Sequence, residues 1–278
     1  MNLRSTSRCG FLLVLGVSAA LSGAMWQEPP GPVPANYEEL LAAARTYASQ
    51  YISCIPSFIC SQTVEQFEAG KKGKHWHKGD VLKSQLVWNQ GREQRTLETV
   101  NNRKVSNVSL WRAPLVTEGE FGNLVDSILG ESSSAEFRWS RWEQIDDKRA
   151  AVFSYRVDQQ HSPWQLALGA VQARIAFHGL VFTDAETGTV LRITNDADRF
   201  PAELRTKSIA RTVDFGQVAI GDARYFLPVH ASVLLDTGTG QIRNELHFEA
   251  YRKFVADSHI SFTSTADAST GTPEPIKR

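Results

Sequence analysis

The chain has 278 residues, of which 42% are hydrophobic, with 30 basic and 30 acidic side chains. A near-neutral chain lacks the basic stripe that nucleic-acid binding requires, so the composition argues against that class of function. After the first 24 residues, no stretch is long and apolar enough for a membrane-spanning helix, which needs about 20 apolar residues.

The first 24 residues have the pattern of a cleavable export signal. Met1–Arg8 is short and basic, Cys9–Ala24 is apolar or small, and the segment ends in Ser22-Gly23-Ala24. Leu21-Ser22-Gly23 resembles the start of a bacterial lipoprotein cleavage box, but Ala24 stands where the lipid-bearing cysteine belongs. We therefore predict cleavage near Ala24 and a periplasmic or secreted protein without a lipid anchor. The mature chain keeps 28 basic and 30 acidic residues, a net charge of −2.

Removal of Cys9 with the signal leaves two cysteines, Cys54 and Cys60. An even number of cysteines in an oxidising compartment favours a disulfide. Closing so short a loop would stabilise the fold by only about 2 kcal/mol. A redox pair or half of a zinc site are the alternatives. Redox pairs favour the spacing C-x-x-C, and the mature chain has no second cysteine pair to complete a zinc cage.

A proline-rich leader, residues 25–35, precedes a long predicted helix. Asn36 and Glu39 have the spacing of a capping box at its start. Within it, Leu40, Ala44, Tyr47 and Tyr51 recur at helical spacing. Pro56 ends the helix, and the first strand is expected from Cys60 onward.

The rest of the domain is predicted to consist mostly of antiparallel strands. The segment "GEFGNLVDSILGES" indicates one short helix bounded by glycines, and turns are expected at Gln90-Gly91 and Asp146-Asp147. Pro228 suits a sheet edge or a bulge. In two predicted strands, apolar residues occupy every second position and therefore share one face. They are Ala151, Phe153, Tyr155 and Val157 in the first, and Tyr225, Leu227, Val229, Ala231, Val233 and Leu235 in the second.

These elements predict a mainly β protein with α-helices (α+β). Its single domain, residues 36–263, would contain about nine to eleven strands, followed by a disordered tail, residues 264–278. A sheet of this size must curl, so we expect a strongly curved sheet or half-open barrel with both helices over its concave face. An apolar cleft between the concave face and the helices would have the usual form of a small-molecule site. Arg141 and Arg211 are predicted at its mouth. Its predicted apolar lining is Trp88, Trp139, Phe153, Tyr155, Phe177 and Phe248.

The order of these elements resembles the periplasmic lipoprotein-carrier fold of the LolA-like proteins and related envelope-stress regulators. The similarity spans about Asn36 to Phe262. It includes "SCIPSFICSQTVEQF" at the junction of helix and first strand, and "GLVFTDAETGTVLRIT" as strand, turn and return strand. The resemblance implies a nonenzymatic protein that shelters an acyl chain or hydrophobic peptide between sheet and helix.

The sequence Asp236-Thr237-Gly238 is typical of aspartic peptidases, which need two carboxylates at one site. Only 42 residues follow Asp236, too few for the flap and the strand-and-helix unit of such an enzyme. Asp184-Ala185-Glu186-Thr187-Gly188 repeats the same Asp-to-Gly pattern between alternating strands. Because Asp caps backbone donors and Gly accepts positive φ, both sites are interpreted as hairpin turns.

The basic segment "KKGKHWHKGD" offers two further possibilities. His75 and His77 have the spacing of a strand metal site, but no third ligand is identifiable, so no metal or cofactor is predicted. The alternatives are a solvated hairpin tip or contact with anionic membrane headgroups. That contact would be made through Lys71, Lys72, Lys74 and Trp76.

The sequence thus favours an exported, nonenzymatic binding protein for a lipid or lipoprotein acyl chain. The alternatives are an envelope scaffold or sensor that binds a protein partner, and an aspartic-type hydrolase.

Overall fold

A computed structural model describes residues 31–71, 73–105, 121–168, 171–200 and 206–254. The predicted export signal and tail lie outside these ranges. Two helices are described, α1 (Tyr37–Cys54) and α2 (Gly122–Leu129). The strands are β1 (Phe58–Gly70), β2 (Trp76–Asn89), β3 (Arg92–Val100), β4 (Arg103–Lys104), β5 (Glu136–Ile145), β6 (Lys148–Val157), β7 (Gln165–Leu168), β8 (Val171–Arg174), β9 (Phe177–Asp184), β10 (Val190–Ala197), β11 (Ser208–Ile220), β12 (Ala223–Asp236) and β13 (Gly240–Lys253).

Eleven of the described strands form one antiparallel sheet in the order β4-β3-β2-β1-β13-β12-β11-β10-β9-β6-β5. The last strand pairs with the first, from Phe58 opposite Lys253 to Gly70 opposite Gly240. Strands β4 and β5 are the two ends and do not pair, so the sheet is open, as predicted for a curved sheet or half-barrel. Strands β7 and β8 form a separate two-stranded ribbon that the sequence did not predict.

The core lies between one face of this sheet and the two helices. We call this face the inner face and the opposite one the outer face. Helix α1 buries Leu40, Ala44 and Tyr51, and α2 buries Val125 and Ile128 in the same cluster. The predicted inward face of β6 is confirmed, since Ala151, Phe153, Tyr155 and Val157 all belong to this cluster. No helix in the described ranges has the length and apolar character needed to cross a bilayer.

The outer face carries a smaller apolar cluster whose buried members are Ala150, Val152, Phe182 and Leu191. The Arg141 and Arg192 guanidinium carbons lie 5.8 and 5.9 Å from the centre of the Phe182 ring. Basic side chains therefore lie over the buried aromatic ring of this cluster, and their charged groups remain near water.

Two details of the predicted elements are corrected. Helix α1 begins after Asn36, but the Asn36 side chain makes no capping hydrogen bond, because the backbone there (φ −97°, ψ 24°) is not in the extended region of a capping residue. The strict alternation predicted for β12 is interrupted. Asp214 pairs with His230 and Phe215 with Pro228, so Val229 is an extra, bulged residue. Pro228 therefore sits at a bulge, one of its two predicted settings.

In the turn after β9, Gly188 packs closely against the backbone of helix α1. Its φ is +72°, and a Cβ atom there would lie 2.5 Å from the Ala43 carbonyl carbon in α1. Gly238, in the turn after β12, has a similar φ of +78°, but a Cβ atom at that position would have no heavy atom within 4 Å. The two glycines share the same backbone strain and differ in their closeness to the helix.

We expect Gly188→Ala to lower the free energy of unfolding by about 1–3 kcal/mol more than Gly238→Ala does. The backbone strain is common to both variants, so the difference reports the clash with α1. Denaturant unfolding of both variants measures it. Equal losses in the two variants would show that α1 does not approach Gly188.

Candidate functional site

The inner face is strongly aromatic beneath the two helices. Phe121, at the start of α2, has its ring centre 5.2 Å from that of Phe248 and 6.5 Å from that of Trp88. Phe153 lies between Trp139 at 5.8 Å and Tyr37 of α1 at 5.7 Å. The six predicted lining residues are each between 0% and 5% exposed: Trp88, Trp139, Phe153, Tyr155, Phe177 and Phe248.

The structure therefore brings the six predicted lining residues together in one cluster on one face. In the described chain their ring contacts include Tyr37 of α1, Phe121 beside α2, and Phe137, Trp142 and Trp164 outside the helices. A ligand that reached them would have to move a helix aside, and their role in binding stays a prediction.

A row of polar residues crosses this otherwise apolar inner face. Gln66 of β1 pairs with Asn244 of β13, Asn244 with Val233 of β12, Val233 with Arg211 of β11, and Arg211 with Asn195 of β10. Because paired residues point to the same side of a sheet, the five side chains lie in one line, in which Val233 is the apolar member. We call this line the polar row. Gln66 Nε2 donates to Asn244 Oδ1 at 3.3 Å, which satisfies one end of it.

The other end of the polar row holds a cation among aromatic rings. The Arg211 guanidinium carbon lies 5.6 Å from the centre of the half-buried Trp164 ring. Arg211 Nε and the Oδ1 of Asn195, a residue only 1% exposed, are buried and have no hydrogen-bond partner in the described chain. Buried polar atoms are usually paired, so these two atoms can take a partner from outside the described chain.

Tyr155 lies beside this end of the row. Burial raises the pKa of the Tyr155 phenol well above its usual value, and the positive charge of Arg211 opposes that rise. The phenol donates a hydrogen bond of 2.8 Å to the Thr194 carbonyl oxygen, across Gly179. Tyr155 is therefore a neutral hydroxyl that its bond to Thr194 holds in place.

The other predicted cleft-mouth arginine lies elsewhere. Trp139 pairs with Phe153, but the register then shifts and Arg141 pairs with Val152 of the outer cluster. The Arg141 Nη2 atom donates to Glu143 at 2.5 Å, and the guanidinium lies over the Phe182 ring. Arg141 is thus placed on the outer face, and only Arg211 lies on the inner face.

Cys54 and Cys60 are free thiols in this structure, so the predicted disulfide is not formed in it. Cys54 ends α1 and is exposed, whereas Cys60 is buried on the inner face of β1. Burial raises the pKa of the Cys60 thiol to about 12. A thiol with so high a pKa is a poor nucleophile at neutral pH.

We expect a maleimide reagent at pH 7 to label Cys54 in the folded mature protein and Cys60 only after unfolding. Cys54 is accessible, while Cys60 is both inaccessible and protonated. Mass spectrometry of peptides from labelled protein measures the two rates. Labelling of neither cysteine until a reductant is added would show that the protein forms the disulfide in solution. Equal rates would contradict the burial of Cys60.

Asp236 lies in a hairpin turn between β12 and β13, as the sequence predicts. Desolvation opposes ionisation of its carboxyl group, but the Gly238 N–H bond at 2.6 Å, the Gln241 amide and Lys207 outweigh it and lower the pKa. Asp184 is held in the same way, with the Glu186 N–H at 2.9 Å and Lys148 Nζ at 2.6 Å. Turn contacts therefore engage both carboxylates, which supports the turn interpretation of both motifs.

The basic segment before and within β2 is largely exposed. Lys71, Lys74, His75 and His77 are exposed, and Lys72 lies outside the described residues. Trp76 is partly buried, with its ring centre 4.6 Å from the Arg243 guanidinium carbon. Membrane contact through these residues stays a prediction. In the described ranges no group of three His, Cys, Asp or Glu side chains could hold a metal ion.

The outer face has an ionic network around His230 and His247. Their ring centres are 5.0 Å apart. The His230 ring nitrogens lie 3.2 Å from an Asp214 oxygen and 3.1 Å from a Glu245 oxygen. Both nitrogens of His230 are occupied by carboxylates, which is the pattern of a structural cross-strand network and leaves no free nitrogen for catalysis.

The chain matches no protein-family model and no curated protein. It is similar to the solved structure of a LolA superfamily protein from Nitrosomonas europaea, with 11% identity over 79% of this chain and 94% of that one, at a TM-score of 0.41. An outer membrane lipoprotein-sorting protein domain from Vibrio parahaemolyticus gives 11% identity over 77% and 92%, at 0.40. A DUF1329 family protein from Desulfovibrio piger gives 11% over 81% and 94%, at 0.37. The likeness concerns the fold alone.

Proposed function

We propose that this chain is an exported binding protein that shelters a hydrophobic ligand between the inner face of its sheet and its two helices. The observation that carries the proposal is the aromatic inner face of an open sheet, covered by only two helices in the described chain. Apolar, aromatic surfaces with a few polar groups are the usual lining of small-molecule sites.

The two faces of the sheet provide a matched test. Phe153 and Phe177 are buried on the inner face, and Phe182 is buried on the outer face with 3% exposure. We expect Phe153→Leu and Phe177→Leu each to weaken binding of decanol several-fold, while Phe182→Leu leaves binding unchanged. Isothermal titration calorimetry measures the affinities. Equal effects on both faces, or no binding by the unchanged protein, would contradict the proposal.

Native purification gives an independent test. We expect organic extraction of the mature protein, purified from exporting cells without detergent, to release a lipid that mass spectrometry detects in stoichiometric amount. The same extraction of Phe153→Leu should release less lipid per protein molecule. Absence of lipid from both preparations would argue against a bound acyl chain.

A second candidate function, binding of a protein partner, is favoured by the open sheet edge at β5. The end of the leader makes a backbone hydrogen bond to this edge: the Gly31 N–H donates to the Ser140 carbonyl oxygen at 2.8 Å. Extended segments that add to exposed sheet edges are a common mode of peptide recognition. A pull-down that returned one stoichiometric protein, with no bound lipid, would support this function over ligand sheltering.

A further inference from the structure

The polar row contains a cation whose position suggests the chemistry of the ligand. Arg211 lies between Ile209 and Val213 on the inner face of β11, and both of these neighbours are core residues. An arginine at an inward position of a sheet is costly unless it is paired or hydrogen-bonded. Its guanidinium carbon lies 5.6 Å from the centre of the Trp164 ring, and Asn195 is its partner on the neighbouring strand.

A second ionic group on the same face contains an arginine with a carboxylate partner. Arg95 and Glu93 on β3 pair in register with Leu86 and Trp88, so they point inward too. The Arg95 Nη2 atom lies 2.8 Å from the Glu93 Oε1 atom, and both side chains are less than one-fifth exposed. In the described chain the buried Nε atoms of both arginines make no hydrogen bond, but Arg211 has no carboxylate partner of this kind.

Asn195 is the second polar residue at this end of the row. Its side chain is 1% exposed, it pairs in register with Arg211, and its Oδ1 atom accepts no hydrogen bond within the described chain. Oδ1 is an acceptor, so an oxyanion held by Arg211 would meet the Nδ2 amide group of Asn195, which is a donor. The two residues together form a small donor site at one end of an apolar face.

We propose that Arg211 and Asn195 bind the anionic head group, a carboxylate or a phosphate, of an amphiphile whose apolar chain lies along the aromatic inner face. This inference rests on the proposed function and adds the class of ligand to it. Guanidinium groups bind both oxyanions through paired N–H donors, so the shared chemistry is a single anionic head on an apolar chain.

The test compares decanoate, decyl phosphate and decanol, which share one chain length and differ in the head group. We expect the unchanged protein to bind at least one anion more tightly than decanol. The preferred anion then distinguishes a fatty-acid head from a phosphate head. Arg211→Gln should weaken binding of that anion roughly ten- to hundred-fold, since hydrogen bonds to charged groups are among the strong ones. Its affinity for decanol should change less than three-fold.

Three further variants make the result specific to this site. Asn195→Asp keeps the shape of the side chain but adds a negative charge, so it should weaken anion binding as Arg211→Gln does. Arg211→Lys keeps the positive charge and should restore part of the affinity. Arg141→Gln removes an arginine from the outer face and should leave all three affinities unchanged. Thermal unfolding of each variant identifies any that fails to fold, and Arg211→Lys then carries the comparison.

The outcomes separate this inference from the proposed function. Binding of decanol with no preference for either anion, or an equal loss for anion and alcohol in Arg211→Gln, would overturn the head-group site and leave ligand sheltering in place. Failure of all three compounds to bind the unchanged protein would overturn both.

Discussion

Replacement of Gly179 by alanine is expected to lower the free energy of unfolding by about 3 kcal/mol or more. A Cβ atom at this position would lie 1.9 Å from the Thr194 carbonyl oxygen and 3.0 Å from the Tyr155 hydroxyl oxygen. The nearer atom belongs to the backbone of β10, so no change of side-chain rotamer relieves the clash. The Tyr155 hydrogen bond to Thr194 crosses the space that glycine leaves, and the new methyl group would break it.

Gly70, at the end of β1, is the matched control for Gly179. It also lies in a strand, but a Cβ atom there would have no heavy atom within 4 Å. We expect Gly70→Ala to change stability by less than about 1 kcal/mol, since only unfolded-state entropy differs. Guanidinium unfolding of both variants measures the difference. A loss of less than about 1 kcal/mol for Gly179→Ala would show that β9 and β10 are not so close at this point.

The close approach at Gly179 also affects the polar row. Tyr155 is fixed by its bond across Gly179 to Thr194, the residue that precedes Asn195 of the row. If Gly179→Ala still folds, the displaced phenol should disturb the anion affinity more than the alcohol affinity. The close approach of the two strands therefore contributes to the geometry of the proposed head-group site as well as to stability.

The sequence predicts the local elements of this fold well, because each has a local physical cause. Alternation in β6 places Phe153 and Tyr155 inside, and the helical spacing of Leu40 and Ala44 predicts the buried face of α1. The two Asp-to-Gly turns could be predicted because such turns need a residue at positive φ, and Gly188 and Gly238 both adopt it. In each case residues within a few positions of one another determine the outcome.

Features set by strand pairing between distant segments could not be predicted in this way. Nothing in the sequence indicates that β13 pairs with β1, although this pairing determines the order of the strands in the sheet. The polar row depends on that order, since Gln66 and Asn244 are 178 positions apart. A local signal did exist, because the polar members of the row stand at positions where strand alternation predicts an apolar side chain.

β-Bulges explain why two side chains point to the opposite face of the sheet from the one that the sequence predicts. Arg141 follows Trp139 by two residues, so regular alternation predicts the same face for both. The register shift between them turns Arg141 outward, where it meets Val152 and Phe182. Val229 shows the same effect in β12. One extra residue reverses the face of everything beyond it, and a sequence pattern that is read without its partner strand does not reveal it.

Phe153→Ala is expected to lower the free energy of unfolding by about 3–5 kcal/mol, the range for large-to-small changes of buried phenylalanine. The side chain is fully buried on the inner face, one strand in from the edge strand β5. It contacts Trp139 of β5 and Tyr37 of α1, so its removal loosens both the sheet edge and the first turn of the helix. Denaturant unfolding monitored by circular dichroism measures the loss.

Phe182→Ala on the outer face is the control for this change. Phe182 is almost as buried as Phe153, but the described cluster around it is small and the guanidinium groups of Arg141 and Arg192 lie over its ring. Those flexible side chains can close over the lost volume, so a smaller loss is expected. A loss in Phe153→Ala below that in Phe182→Ala would contradict a tightly packed inner face. It would mean instead that the side chains between the helices and the sheet are loosely packed in the absence of ligand.

Decanoate should in that case raise the free energy of unfolding of the unchanged protein in proportion to the logarithm of the decanoate concentration, because a ligand that binds only the folded state stabilises that state.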